Sequence, residues 1–217
     1  MEGVVDNTSA SRRAEDRLRD EIVNGRLQPN ERLIESDLAR FLGVSRTVVR
    51  AALVRLEHEG LVEHERNRGS RVRFVELSEA VEIQEARAVL EGLAARLAAQ
   101  RATPDDVESL KAILGEMQRL READDLLGVS NENAKLHRRL LEISGHATAS
   151  RLIATLNSQI VRFQYRTILL PGRGELSAAE HAAIVDAIAA GDGDAAEDAM
   201  RAHLSHIADA LRGSQPG

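Results

Sequence analysis

ERLIESDLARFLGVSRTVVRAALVRLEH, residues 31 to 58, holds two short amphipathic segments, a glycine-centred break, and arginines where a core would not accept them. Ser36 suits an N-cap for a helix through Phe41, and Gly43 ends it as a left-handed C′ glycine does. Ser45 caps a second helix, Arg46 to His58, which Gly60 closes. Ala39 supplies a small residue where two such helices touch, Gly43 the turn, and Val49 a buried aliphatic on the second helix. Leu38, Leu42, Val44, Ala52 and Leu53 are expected to fill the shared core. This spacing predicts a helix-turn-helix.

The pattern leaves Arg46, Thr47 and Arg50 on or near the exposed start of the second helix, the end that enters a major groove. Arginine forks onto guanine O6 and N7, and threonine contacts a phosphate or a thymine methyl. Arg40, ending the first of the two helices, is better placed for phosphate. A helical hairpin with solvated arginines would share the spacing, so the flanks matter.

Upstream, residues 1–10 are polar and expected to be loose. Arg13, Arg17, Leu18, Ile22 and Val23 suggest a helix from Ser11 to near Gly25, followed by a turn at Gln28-Pro29-Asn30. Arg32-Leu33-Ile34 is a short strand or connector. Downstream, Leu61 to Glu65 and Arg71 to Val75 flank Arg66-Asn67-Arg68-Gly69-Ser70, which reads as strand, turn and strand. Three helices and a hairpin describe a winged helix-turn-helix over residues 1–76, with Arg66, Arg68 and Arg71 clustered about the wing.

Residues 77–217 read as helical throughout, giving a mainly α protein in which an all-helical bundle domain follows the wing. The expected helices run from Glu79 to Arg101, from Thr103-Pro104 to near Ala123, and from Val129 to Ser144 with Gly145 closing. A fourth covers Ala147 to Leu169, before Pro171-Gly172. Ser177 with Glu180, and Asp194 with Glu197, are expected capping boxes for the last two helices, which end at Gly191 and near Arg212.

Composition agrees and excludes some chemistry. Only 2% of residues are aromatic against 43% hydrophobic, so the core is packed with small aliphatic side chains. There is no cysteine, hence no disulfide, thiolate metal site or cysteine nucleophile. No apolar run reaches membrane-spanning length, and the N-terminus lacks a signal-peptide layout, so a cytoplasmic protein without membrane association is expected. The net charge of −6 is uneven: residues 1–76 carry 14 basic and 14 acidic side chains, and residues 77–217 carry 15 and 21. Residues 40–73 hold 8 arginines against 4 glutamates, the local basic face that DNA binding needs.

Residues 11–75 resemble the N-terminal domain of the GntR family of bacterial transcription regulators, through ERLIESDLARFLGVSRTVVRAALVRLEHEGLVEHERNRGSRV. The resemblance implies DNA-contacting roles for Arg40, Arg46, Thr47, Arg50 and Gly69, and Ser45 and Arg68 complete the expected DNA-facing set. Where the family commonly reads Ser-Arg-Thr-Pro-Val-Arg-Glu-Ala-Leu, this chain has Val48 for the proline and Ala51 for the glutamate. Val48 restores a backbone N–H, and Ala51 removes an acid beside the DNA.

In the helical half, His137 has Asn133 four residues earlier on one helix face, and His181 and His203 lie on the last two helices. Three imidazoles and an oxygen would suit Zn, Ni, Mn or Fe if those helices converge, although surface or core histidines would scatter in the same way. Residues 78–212 are similar to the FCD ligand-binding domain of the FadR subfamily, through EARAVLEGLAARLAA, ENAKLHRRLLEISGH and EHAAIVDAIAAGDGDAAEDAMRAHL. Metal-binding members complete an Asp-His-His-His site, and here Asn133 stands where the Asp usually is. An Asn carbonyl brings no charge, so a divalent ion would be held less strongly, and a carboxylate effector could supply the missing oxygen. By the same resemblance Arg87 faces the ligand cavity and could clamp a carboxylate, while a surface pair with Glu91 is the plain alternative. Asn157 and Arg162 are further cavity candidates.

The resulting expectation is an effector-responsive repressor, not an enzyme, that binds a palindromic operator as a homodimer and responds to a small carboxylic acid. Two rivals remain: a metal-dependent hydrolase with a nucleic-acid-binding module, and an architectural DNA binder without effector. Against the first, no general base is evident beside the histidines.

Overall fold

The computed structural model describes the backbone of residues 2–65, 69–168 and 172–213, and the side chains of residues 10–65, 69–160 and 172–213. Contacts divide the chain into two units, Met1–Val75 and Glu76–Gly217.

In the first unit, α1 (Glu2–Val23) is followed by β1 (Arg32–Leu33), α2 (Glu35–Leu42), α3 (Arg46–His58), β2 (Val62–Glu65) and β3 (Gly69–Val72). The strands form an antiparallel sheet in the order β1-β3-β2, with Arg71 of β3 opposite both Arg32 and Glu63. Leu18, Val49, Ala52 and Leu56 are fully enclosed, and Ala39, Leu42 and Val44 pack against them from the edge. The tight approach of α2 and α3 depends on Gly43, whose φ of 69° turns the chain while its N–H bonds to the Ala39 carbonyl. Arg19 ties α1 to the end of α3 by bonding Glu15 and Glu59, each at 2.7 Å.

Four local expectations need correction. Helix α1 begins at Glu2, not Ser11, because Ser11 is buried against Arg55 and is not free to cap. Ser36 does not cap α2: the cap position is Ile34, without a side-chain bond, and Ser36 lies inside the first turn. Ser177 and Glu180 lie within a helix that starts at Arg173, one turn earlier than expected. Asp194 is likewise internal, and Asp192 caps that helix by accepting from the Ala195 N–H at 3.0 Å. The wing turn at residues 66–68 is outside the described residues.

The second unit comprises α4 (Leu77–Arg101), α5 (Pro104–Glu122), α6 (Leu126–Ser144), α7 (Ala147–Ile168), α8 (Arg173–Ala189) and α9 (Gly193–Gly213). Thr103 and Asp106 cap α5 reciprocally, with Pro104 at the first helical position. Alanines 94, 95 and 98 on α4 are buried, and their small side chains let α9 pack closely along it. Leu110, Leu136, Ile184, Met200 and Leu204 fill the bundle interior, each stabilising by about 1.5–3 kcal/mol on burial. That interior fixes α4, α6, α8 and α9 around one end of the core, where the polar residues described next are enclosed. Among the described residues, no helix is long and apolar enough to cross a membrane.

Candidate functional site

Helix α3 is a cylinder with two faces. Val48, Val49, Ala52, Leu53 and Leu56 are buried, whereas Arg46, Thr47 and Arg50 are exposed on the opposite side. Its start is fixed by Ser45, whose hydroxyl accepts from the Val48 N–H at 3.4 Å. The valine that replaces the common proline therefore supplies the very donor that the cap uses. Arg50 is held by Glu35 of α2 through bonds of 2.8 and 2.7 Å. Arg40 is exposed, 3.6 Å from Asp37. Gly69 opens β3 with φ of 83°, a left-handed conformation that favours glycine, and nothing lies within 4 Å of where a Cβ would stand. Arg71, expected among the wing cations, is neutralised by Glu63 and Glu65 at 2.7 and 2.9 Å. Arg68 is outside the described residues.

In the helical unit, α6, α8 and α9 bring His137, His181 and His203 together, with ligand atoms within 4.8 Å of one another and ring centroids 4.5 to 5.6 Å apart. All three are buried. Two carboxylates stand behind the rings: Glu91 of α4 bonds His137 Nδ1 at 2.6 Å, and Glu180 of α8 bonds His203 Nδ1 at 2.7 Å. A carboxylate on Nδ1 fixes ring orientation and leaves Nε2 as the free donor, the arrangement metal-binding histidines use. Among the described residues, His203 Nε2 and both nitrogens of His181 are buried without a hydrogen-bond partner.

Protonation follows from the surroundings. Burial, aided by repulsion from the other histidines, pushes His181 well below its ordinary value. Burial likewise lowers His203 to about 4, although Glu180 opposes the shift. Both rings are therefore neutral near pH 7, the form that ligates a cation. Burial, the largest single influence, would raise Glu91, but the charges and hydrogen bonds of Arg87 and His137 together outweigh it and hold the carboxyl well below its usual range. Glu180 behaves similarly: burial is overcome by bonds from His203 and Arg173, which bring it to about 2. Buried unpaired nitrogens, neutral rings and anchoring carboxylates together fit a divalent cation, and this triad could hold one.

The histidines border a cavity of about 270 Å³. Asn133 lines it beside His137, and Arg87, Arg121 and Arg173 line it as well, while no Asp or Glu side chain does among the described residues. Arg87 combines both expectations for it: it pairs with Glu91 at 2.7 Å and with Gln84 at 2.9 Å, yet it is buried and faces the cavity. The expected surface pair is an interior one. Asn157 does not line the cavity, although its Oδ1 is buried without a partner. The side chain of Arg162 is outside the described residues.

Sequence reasoning missed Arg173, Arg121, Gln84 and the anchoring roles of Glu91 and Glu180. Those two carboxylates stand behind the rings, bound to Nδ1, and neither lines the cavity. A signal for Glu180 existed in its position directly before His181, but that residue was assigned to a cap. Nothing in the spacing marked Arg173, which joins the site through the fold.

A winged helix-turn-helix carried with a helical, ligand-sized cavity defines a class, that of the effector-domain transcription regulators. Comparison with known proteins makes the assignment specific. Residues 10–72 match the model of the gntR family of bacterial regulatory proteins, and residues 82–206 match that of the FCD domain. The chain belongs to the GntR family and carries an FCD domain. It is 32% identical over 213 residues to the HTH-type transcriptional regulator LutR of Bacillus subtilis, covering 88% of this chain and 96% of that one. It is 30% identical over 201 residues to a Paenarthrobacter nicotinovorans protein named "Probable D-xylose utilization operon transcriptional repressor", covering 91% and 86%. The structure of Escherichia coli McbR/YncC superposes with a TM-score of 0.77 at 24% identity, covering 94% of this chain and 97% of that one, a likeness of fold. These relatives are transcription regulators, not enzymes.

Proposed function

We propose that this chain represses a metabolic operon by binding a palindromic operator as a homodimer in the cytoplasm, and releases or rearranges on it when a small carboxylate enters the helical cavity. The observation that carries the reading is the cavity lining, which combines three arginines and three clustered histidines with no carboxylate among the described residues. Such a lining attracts an anion. The operon-linked name of the Paenarthrobacter relative supports the metabolic assignment.

On the DNA side, Arg46, Thr47 and Arg50 at the start of α3 would read bases. Arg40, Ser45, Arg68 and Gly69 would contact the backbone or support the contact. On the effector side, His137, His181 and His203, with Asn133 beside them, would hold a divalent ion such as Zn, Ni, Mn or Fe. The ion would supply a positive point to which a carboxylate oxygen binds. Glu91 and Glu180 keep two of the rings aimed, and Arg87 orients the acid. The effector acts only by binding the DNA-competent and incompetent states unequally.

The test is a thermal-shift screen of small carboxylates with and without added divalent ions, because a ligand of the native state raises the melting temperature. Hits are then added to an operator-binding assay. Stabilisation together with altered operator affinity is expected. Operator binding indifferent to every stabilising acid would favour the architectural alternative.

A further inference from the structure

Helix α2 opens with an acid set among the exposed basic residues of α3. Glu35 is its first residue, and a carboxylate there suits the positive end of the helix dipole. The hydrogen bond from Arg50 lowers the Glu35 carboxyl below its ordinary value against a smaller effect of burial, and Arg46 and His64 also favour its charged form. Glu35 is therefore an anion at neutral pH, beside the residues that read DNA.

The way Glu35 holds Arg50 decides what the arginine can still do. Arg50 gives Nε to one carboxylate oxygen at 2.8 Å and Nη2 to the other at 2.7 Å. These lie on the side edge of a planar guanidinium that carries five N–H groups. Both N–H groups of Nη1 and the outer one of Nη2 are left over. They form the end edge, a second parallel fork of the kind that fits guanine O6 and N7. Among the described residues Nη1 makes no hydrogen bond, and the Arg50 side chain is 68% exposed. The grip thus fixes the plane of the guanidinium and leaves its reading fork unspent.

A plain surface ion pair would contribute little here, because an exposed pair gains little in water. It would also be out of place. A carboxylate beside Arg46 and Arg50 repels phosphates of every sequence alike and offsets part of the charge those arginines bring. A cost spread over all sequences, set against a benefit confined to one base pair, raises specificity.

We propose that Glu35 is a specificity-determining residue of the DNA reader, which positions Arg50 for one base pair and weakens binding to DNA that lacks it. The proposal rests on the base-reading role given to Arg50 above. Glu35 acts through the arginine and is a positioning residue.

The probes are a duplex that the full-length wild-type protein enriches from a randomised library, and a scrambled duplex of the same length and composition. Fluorescence anisotropy gives the affinity for each at a fixed salt concentration. Glu35→Gln keeps the size of the side chain and removes its charge. It should bind the scrambled duplex about two- to fivefold more tightly. The ratio of selected to scrambled affinity should fall about 10-fold. Melting temperature should match wild type, since the pair is exposed. In an Arg50→Ala background, Glu35→Gln should leave the ratio within about twofold, because its effect on selectivity passes through the arginine. A ratio unchanged by Glu35→Gln would overturn the proposal, as would an equal fall in the Arg50→Ala background. A wild-type protein that enriches no sequence would overturn it together with the base-reading role of Arg50.

Discussion

Glu35, at the start of α2, grips the guanidinium of Arg50 on α3 through bonds of 2.8 and 2.7 Å. The pair is too exposed to contribute much stability, so its effect is on where the arginine points. Arg50→Ala should weaken binding to operator DNA about 10- to 100-fold, the range for losing one bidentate base contact. Fluorescence anisotropy on operator and random duplexes checks it. An equal loss on both would mean that Arg50 touches phosphate and reads no base.

The Ser45 cap makes a second prediction. Ser45→Ala should destabilise the DNA-binding unit by about 1 kcal/mol, measured by urea unfolding. Val48→Pro removes the N–H that the hydroxyl accepts from, so Ser45→Ala should cost markedly less in that background. Additive losses would show that the 3.4 Å bond carries no energy.

Acid should weaken the helical unit before it protonates the buried carboxylates. His181 and His203 have depressed values in the folded chain, so between about pH 6.5 and 4 the unfolded chain binds protons that the folded one refuses. Stability therefore falls as pH drops through that window, on the order of 3 kcal/mol for His203. Glu180, at about 2 when folded, adds its loss only below about 4.5. His181→Leu removes a ring with no hydrogen-bond partner, so melting followed by circular dichroism at pH 7, 6 and 5 should show a shallower decline than wild type. An unchanged slope would mean that His181 is not the buried neutral base.

Metal affinity should respond to residues on both sides of the rings. Asn133→Asp should tighten zinc binding by adding a charged oxygen, and His181→Ala should abolish it. Glu180→Gln should weaken it about 10- to 100-fold by loosening His203. Competition with a chromophoric chelator reads all three. Indifference to Asn133→Asp would place that side chain away from the ion.

The reader helices were legible because their signals are local: a turn glycine, a cap serine and a 3.6-residue apolar stripe. The histidine triad was legible by resemblance, since spacing alone could not bring three different helices together. Cap assignment was the weaker step. Ser177 with Glu180 satisfies the capping pattern, yet a glycine with φ of 74° at position 172 lets α8 start a turn earlier. Glu180 then turns inward and becomes part of the site. Arg173 was invisible because its meaning lies in what it lacks, a partner for one nitrogen, which only packed side chains reveal.

Glu180 joins a cavity-lining arginine, a cluster histidine and the half-exposed His206 through one carboxylate. Two residues of the cavity wall thus share a single part. A lineage or a designer that changes Arg173 to admit a new effector would also disturb the His203 ring. Retuning this sensor would therefore take paired changes, and drift at position 180 should be the slowest route to a new specificity.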